Sequence, residues 1–241
     1  MSAPRRGDAL FDWIARVHGR APWGDVLDAG TGDHSLGWLA TLPTRSLTGV
    51  TVESWRMDGL RAVAPGAEIL LGEWTDPALL AGRRFDTVLV DYVIGAIDGH
   101  APYFQYGFLE RLRPHCVGPT YLVGLEPQPR DGSVLDEVCR IRDACILLAG
   151  HRMYREYPRE LVVRWLEAAG WDVRDAITLP NRVGARFING QLDVAERKLR
   201  LFNDPMLAES MRATIANTRA RALAAGDQTW GADWVIAAQA R

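Results

Sequence analysis

Apolar positions in residues 8–18, namely Leu10, Phe11, Ile14 and Val17, share one face at helical spacing and predict a leading amphipathic helix. Short apolar runs follow at 26–29, 47–52, 68–71, 87–90 and 120–125, each reading as a buried strand. Between them Leu36, Trp38, Leu39 and Leu42 recur at roughly helical spacing, and 77–81 and 103–112 read as helical or turn segments. Strands alternating with helices predict a parallel sheet with right-handed crossovers. After the fifth strand the rhythm changes. Residues 132–149 and 158–169 predict two long helices and 171–179 a strand. Residues 190–225 are strongly helical, with Leu192, Ala195, Leu199 and Phe202, then Met206, Met211, Ile215 and Leu223; 232–238 predicts a closing strand. There is no internal repeat and no low-complexity linker.

The first strand ends on an acid, Asp28, followed by glycines at alternate positions, Gly30 and Gly32, so the glycines occupy a strand-to-helix turn. In a parallel α/β sheet that turn lets a ligand approach the backbone closely. The second strand ends about twenty residues on at another acid, Glu53, followed by Ser54. A glycine turn with a distal acid is the geometry for holding a nucleoside, the acid taking the ribose hydroxyls.

Composition narrows the class. A chain of 241 residues with 48% hydrophobic and 24% charged residues fits one soluble globular domain, or one with an elaborated cap. A net charge of −2 supplies no global field for nucleic acid. Lys198 is the only lysine among many arginines, which reads as a genome-composition bias. Cys116, Cys139 and Cys145 lack ligand-like spacing and predict buried free thiols in a reducing compartment. Arg5 and Arg6 precede an apolar stretch interrupted by Asp12 and Arg16, so no signal peptide is expected. No run is long enough to cross a membrane, and a cytoplasmic location is expected. No His, Asp and Glu cluster has metal-ligand spacing, so no metal is expected.

With these motifs in place the chain resembles the class I S-adenosylmethionine-dependent methyltransferases over about 25–180 and the last dozen residues. The resemblance rests on Asp28-Ala-Gly30-Thr-Gly32, Glu53, Gly72-Glu73-Trp74, Phe85-Asp-Thr-Val-Leu-Val-Asp91-Tyr92 and Leu112-Arg-Pro114. His34 departs from the family at the third glycine position. The resemblance implies an α/β, Rossmann-like sheet of seven strands, the last inserted antiparallel. It implies S-adenosyl-L-methionine as cofactor, held around Asp28, Gly30, Gly32, Glu53, Ser54, Glu73, Trp74, Asp91 and Tyr92, with Trp55 or Trp74 offering an aromatic face. A nicotinamide dehydrogenase shares the glycine signature, but its fingerprint wants Gly or Ala where Ser35 stands.

The acceptor side is read from three stretches, 91–106, 151–157 and 182–189. They offer His100 and His151 as bases for an oxygen nucleophile, and Tyr103, Tyr106, Tyr154, Arg186 and Asn189 as substrate contacts. His115, in a turn, reads as structural. Residues 181–226 separate the last two strands as a helical insertion, with eight basic residues against four acidic ones. The expected layout is a cofactor-binding core of 1–180 and 227–241 with 181–226 as a lid. The lid would leave the sixth strand, roof Asp91, His100, His151 and Arg186, and be held down by Phe187 and Phe202. Such a lid implies a small-molecule partner rather than nucleic acid or membrane. The oligomeric state is open, a homodimer included. Three functions fit: methyl transfer to O or N of a small molecule, cyclisation of the cofactor with release of methylthioadenosine, or a non-catalytic cofactor-binding scaffold.

Overall fold

The computed structural model describes residues 8–241; Arg5 and Arg6, which bear on the signal-peptide expectation, lie outside them. Seven strands form one sheet: β1 (Asp25–Asp28), β2 (Ser46–Thr51), β3 (Glu68–Leu71), β4 (Thr87–Asp91), β5 (Pro119–Leu125), β6 (Trp171–Val183) and β7 (Gln228–Ala240). Their order is β3-β2-β1-β4-β5-β7-β6. β1 to β5 run parallel, and β7 is antiparallel to both neighbours. The expected seven-stranded sheet with an antiparallel last strand is what forms. The order reverses between β1 and β4, so the loops after these two strands diverge and open a crevice at the sheet's C-terminal edge.

Helices cover both faces because the central strands are apolar on both. On one side α1 (Ala9–His18), α2 (Asp33–Leu39) and α3 (Met57–Val63) bury Leu10, Phe11, Ile14, Leu36, Leu39 and Leu60 against Val26, Leu89 and Tyr121. On the other, α4 (Val93–Ala96), α5 (Gln105–Leu112) and α7 (Arg159–Ala168) bury Ile94, Phe108, Leu109, Leu112, Val162 and Leu166. In α1 the buried face is rotated from the expected one: Val17 is exposed, while Trp13 and His18 are buried. His18 stacks on Trp23 at 3.6 Å, and its Nδ1 lies 3.1 Å from the Tyr121 hydroxyl. A polar partner inside the core outweighs the apolar spacing there.

The helical insertion forms α8 (Ala185–Lys198) and α9 (Pro205–Ala224), beginning five residues earlier than expected and broken between them. The break follows from Pro205, which has no N–H to give, and Asp204, whose carboxylate accepts from the Met206 and Leu207 amides. α8 and α9 pack on α6 (Val134–Leu148), burying Ile188, Leu192, Ala195 and Ile215 against Leu135, Val138, Cys139 and Cys145. β6 and β7 are both longer than expected. Beyond the reach of β5 they continue as a two-stranded ribbon, Arg182 opposite Thr229 and Val183 opposite Gln228, which carries these helices. Trp230 on that ribbon is buried in the same cluster.

The junction between the parallel sheet and this ribbon is tightly packed. Gly124 on β5 lies opposite Trp234 on β7, and a Cβ at Gly124 would lie 2.2 Å from the indole. The Trp234 Nε1–H donates to the Tyr157 carbonyl at 3.1 Å, tying down the 151–158 segment. Gly124→Ala is expected to lower unfolding free energy by about 1–3 kcal/mol through overpacking, measured by urea denaturation.

Candidate functional site

The crevice is a cavity of about 970 Å3 at the C-terminal ends of β1, β2 and β4, closed on the far side by α6 and α8. Its first wall is the glycine turn, and the turn is organised by a buried carboxylate. Asp28 Oδ2 accepts from the hydroxyls of Thr31 at 2.6 Å and Ser35 at 2.8 Å. The Ser35 hydroxyl in turn accepts from the Gly32 N–H at 3.2 Å. One carboxylate thus fixes both ends of the turn. Asp28 itself is fully buried beneath the cavity. Burial pushes its carboxyl up to about 6, opposed by the two hydroxyl bonds. Gly30 admits no side chain, since a Cβ would lie 2.2 Å from Val93 Cγ2.

The neighbouring strand ends complete this half. Glu53 lines the cavity after β2, with Arg56 Nη1 3.5 Å from its carboxylate; Arg56 also reaches Asp33 at 3.1 Å. Glu73 is at the exposed rim, and Trp74 lines the cavity while donating its Nε1–H to the Ala29 carbonyl at 2.7 Å. Trp74 therefore belongs to core and cavity at once. Trp55 is 78% exposed and contributes no wall. Asp91 and Tyr92 line the cavity after β4. Burial, reinforced by Asp28, Asp8 and Asp233, pushes the Asp91 carboxyl up to about 8. Burial likewise raises the Tyr92 hydroxyl, with Asp233 as a further cause. The Oδ1 atoms of Asp28 and Asp91 are buried without a hydrogen-bond partner. Glu53, Glu73 and Asp91 give the cavity beside this side-chain-free turn an acidic lining, which suits a ligand carrying positive charge.

The other half is lined by α4, α6, α8 and the 152–156 segment. His100 is at its rim. Glu156 sits over α4 in the space left by Gly95, where a Cβ would lie 2.3 Å from its Oε2. The Arg155 N–H donates to the Gly95 carbonyl at 3.1 Å, holding the segment against α4. Burial pushes the Glu156 carboxyl up to about 7, with Arg142 opposing and Asp233 reinforcing. On α8, Phe187, Gln191, Val194 and Lys198 face the cavity at helical spacing.

Of the residues proposed from sequence, Gly30, Gly32, Glu53, Glu73, Trp74, Asp91, Tyr92, His100 and Tyr154 share this cavity, with Asp28 directly below. The rest do not line it. Ser54 is exposed at the start of a short turn. Tyr103 is exposed, with the Arg155 guanidinium 5.5 Å from its ring, and Tyr106 packs on the α5 side of the core. Arg186 is exposed because it lies about a hundred degrees round α8 from Phe187, which faces in. Asn189 faces α9, where its Oδ1 accepts from Arg219 at 2.8 Å. His151 is exposed, its Nδ1 accepting from Lys198 at 2.6 Å. The expected single pocket therefore gathers Asp91 and His100 but not His151 or Arg186. Phe187 both lines the cavity and packs on the α6, α8 and α9 cluster, whereas Phe202 packs on that cluster without lining the cavity. His34, at the departed glycine position, points to solvent beside Asp8, 3.3 Å away. His115 is buried in its turn with Nδ1 2.8 Å from the Arg83 carbonyl, and the three cysteines are buried and free.

Sequence reasoning passed over Thr31, Ser35, Arg56, Arg142, Glu156 and Lys198. Ser35 was legible only as a break in a dinucleotide fingerprint, and Lys198 only as the sole lysine. Glu156 gave no local signal, since its pairing with Gly95 joins two distant segments. Among the described residues no cluster of three or more His, Cys, Asp or Glu is arranged to hold a metal, and no helix is long and apolar enough to cross a membrane.

A raised carboxyl pKa in the folded state makes stability fall as pH rises, because the unfolded chain ionises first. For Asp91 the window runs from its ordinary 3.8 to about 8. Asp91→Asn is expected to flatten the decline across that window and to leave stability at the acid end unchanged, read by urea unfolding against pH.

No protein-family sequence model matches the chain, and no curated protein matches it significantly by sequence. Solved structures do match. A candidate methyltransferase from Bacillus halodurans C-125 superposes with a TM-score of 0.62 at 15% identity, over 96% of this chain and 98% of that one. A methyltransferase from Geobacter sulfurreducens, solved with S-adenosyl-L-homocysteine, superposes at 0.51 with 14% identity, over 96% and 90%. The [4+2]-cyclase SpnF superposes at 0.53 with 14% identity, over 96% and 80%. The chain has the fold of the class I S-adenosylmethionine-dependent methyltransferases.

Proposed function

We propose that this protein binds S-adenosyl-L-methionine against the glycine turn and transfers its methyl group to an oxygen or nitrogen of a small molecule held in the α6–α8 half of the cavity. The observation that carries this reading is the cavity itself. At about 970 Å3 it lies at the top of the range of ~300–1,000 Å3 usual for small-ligand sites. That leaves space for an acceptor beside a nucleoside cofactor. The space favours transfer to a second molecule over cyclisation of the cofactor alone, and a lined acceptor half favours an enzyme over a scaffold.

The residues present fit the cofactor. The acidic lining of Glu53, Glu73 and Asp91 matches a ligand with an ammonium and a sulfonium. Glu53, just after β2, would accept the ribose hydroxyls, and Glu73 and Trp74 would hold the adenine. When bound, the cofactor supplies an electrophilic methyl group. The protein's own contribution is alignment and exclusion of water by Phe187, Val194, Ile146 and Met153, since such transfer needs little else. A hydroxyl or ammonium acceptor must also lose a proton. Glu156 and His100 are the lining groups able to take it, and a carboxyl near neutrality is matched to that task. In this reading 181–226 is the lid and the rest of the chain the cofactor-binding core.

Calorimetry should detect S-adenosyl-L-homocysteine binding to the wild type, and its absence would sink this reading. Glu53→Ala is expected to weaken that binding by about 1–3 kcal/mol, the cost of unpaired polar groups. Chromatography of turnover mixtures should yield S-adenosyl-L-homocysteine and a methylated acceptor; methylthioadenosine formed from cofactor alone would mean cyclisation. With a proton-bearing acceptor, kcat/KM should rise with pH and level off above about 7, and Glu156→Gln should abolish that rise.

A further inference from the structure

Charge in the cavity is divided between its halves. Around the glycine turn the charged lining groups are Glu53, Glu73 and Asp91, and the one cation there, Arg56, is shared by Glu53 and Asp33. The half under α6 and α8 instead carries Arg130, Arg142, Arg152, Arg155 and Lys198 against Asp143 and Glu156. Four of those five cations are already engaged. Arg130 reaches Asp136 at 3.1 Å and Asp143 at 3.6 Å, and Arg142 reaches Asp143 at 2.6 Å. Arg152 and Arg155 both face the buried Asp98, at 3.3 and 3.9 Å.

Lys198 is different. Among the described residues it has no carboxylate in ion-pair range; its one hydrogen-bond partner is the His151 ring nitrogen, 2.6 Å away. That leaves two of its three N–H donors free. Lys198 lines the cavity from the inward face of α8, one turn beyond Val194 and two beyond Gln191. Gln191 is itself tied to Arg142 through its carbonyl oxygen, which leaves its amide N–H2 to donate. Val194, Ile146 and Met153 give this half of the cavity apolar wall, and Phe187 lines it three turns back along α8. An ammonium at the cavity wall with free donors and no counter-charge is open to pairing with an anion.

Building on the proposed transferase reading, we propose that Lys198 and Gln191 form an anion-binding subsite at the mouth of the cavity, the exposed His151 ring holding the Lys198 ammonium from outside, and that the acceptor is a small molecule bearing a carboxylate-like group. The anion anchors at Lys198 and the apolar body of the acceptor packs on Val194. The nucleophilic end is thereby directed away from α8, toward the glycine turn. This assigns the single lysine of an arginine-rich chain a role in specificity: a compact ammonium with rotatable donors, rather than the planar fork that already fills the neighbouring ion pairs.

Three probes of equal size and different charge test the subsite: benzoate, benzamide and benzylammonium, titrated calorimetrically into the full chain with and without S-adenosyl-L-homocysteine. Benzoate is expected to bind at least about tenfold more tightly than the other two, as a charge-assisted contact implies. Lys198→Gln should remove that preference, Lys198→Arg should keep most of it, and Arg197→Gln, an exposed neighbour outside the cavity, should leave it intact. Equal affinities, a preference for the neutral or cationic probe, no benzoate binding, or a preference unchanged by Lys198→Gln would each overturn the proposal. Melting curves of the variants verify folding. The arm without S-adenosyl-L-homocysteine reads the subsite even if the cofactor fails to bind, so the two readings fail separately.

Discussion

The site depends on the buried Asp28 carboxylate. A glycine turn with no side chains has no means of its own to hold one shape, and glycine carries the largest backbone entropy to lose. Asp28 supplies the missing constraint from below, through Thr31 and Ser35 and, via the Ser35 hydroxyl, the Gly32 amide. Burial raises the energy of the charged carboxylate, and the two hydroxyls offset part of that cost. The remaining oxygen stays without a partner, next to Asp91 in the same condition. The strand ends that carry this turn also bring Glu53 and Asp91 to the cavity wall, which makes this end of the crevice receptive to positive charge.

The acceptor half is organised differently, by packing carried across long sequence distances. The β6–β7 ribbon lifts α8 and α9 clear of the parallel sheet, and α6 closes their apolar faces. α8 then has two buried aspects. Ile188, Leu192 and Ala195 face its helical neighbours, while Phe187, Gln191, Val194 and Lys198 face the cavity. The Trp234 indole joins the two systems, filling the space over Gly124 and holding the carbonyl of Tyr157. That contact fixes the segment from which Glu156 enters the cavity.

Opposite charge preferences at the two ends follow from these two modes of construction. The turn end is built from strand termini, where short acids close β1, β2 and β4 beside buried backbone. The α6–α8 end is built from helix and loop side chains long enough to pair with one another, and their pairing leaves Lys198 over.

Much of this was legible in the chain itself. Strand-length apolar runs ending in Asp28, Glu53 and Asp91 determined the parallel sheet and the crevice edge, because a parallel strand must deliver its last residue to the same side as its neighbours. The glycines at 30 and 32 determined where a ligand meets backbone. The early start of α8, the choice of its inward face and the rotated face of α1 were not legible, since each depends on a partner remote in sequence: the ribbon, α6 and Tyr121; the break before α9 had a local signal in Asp204 and Pro205. The same holds for Glu156 over Gly95 and for Lys198 beside His151, pairs separated by sixty-one and forty-seven positions. Local pattern sets which residues a helix or strand buries. Only the packed structure decides which of two buried faces looks into a core and which into a cavity.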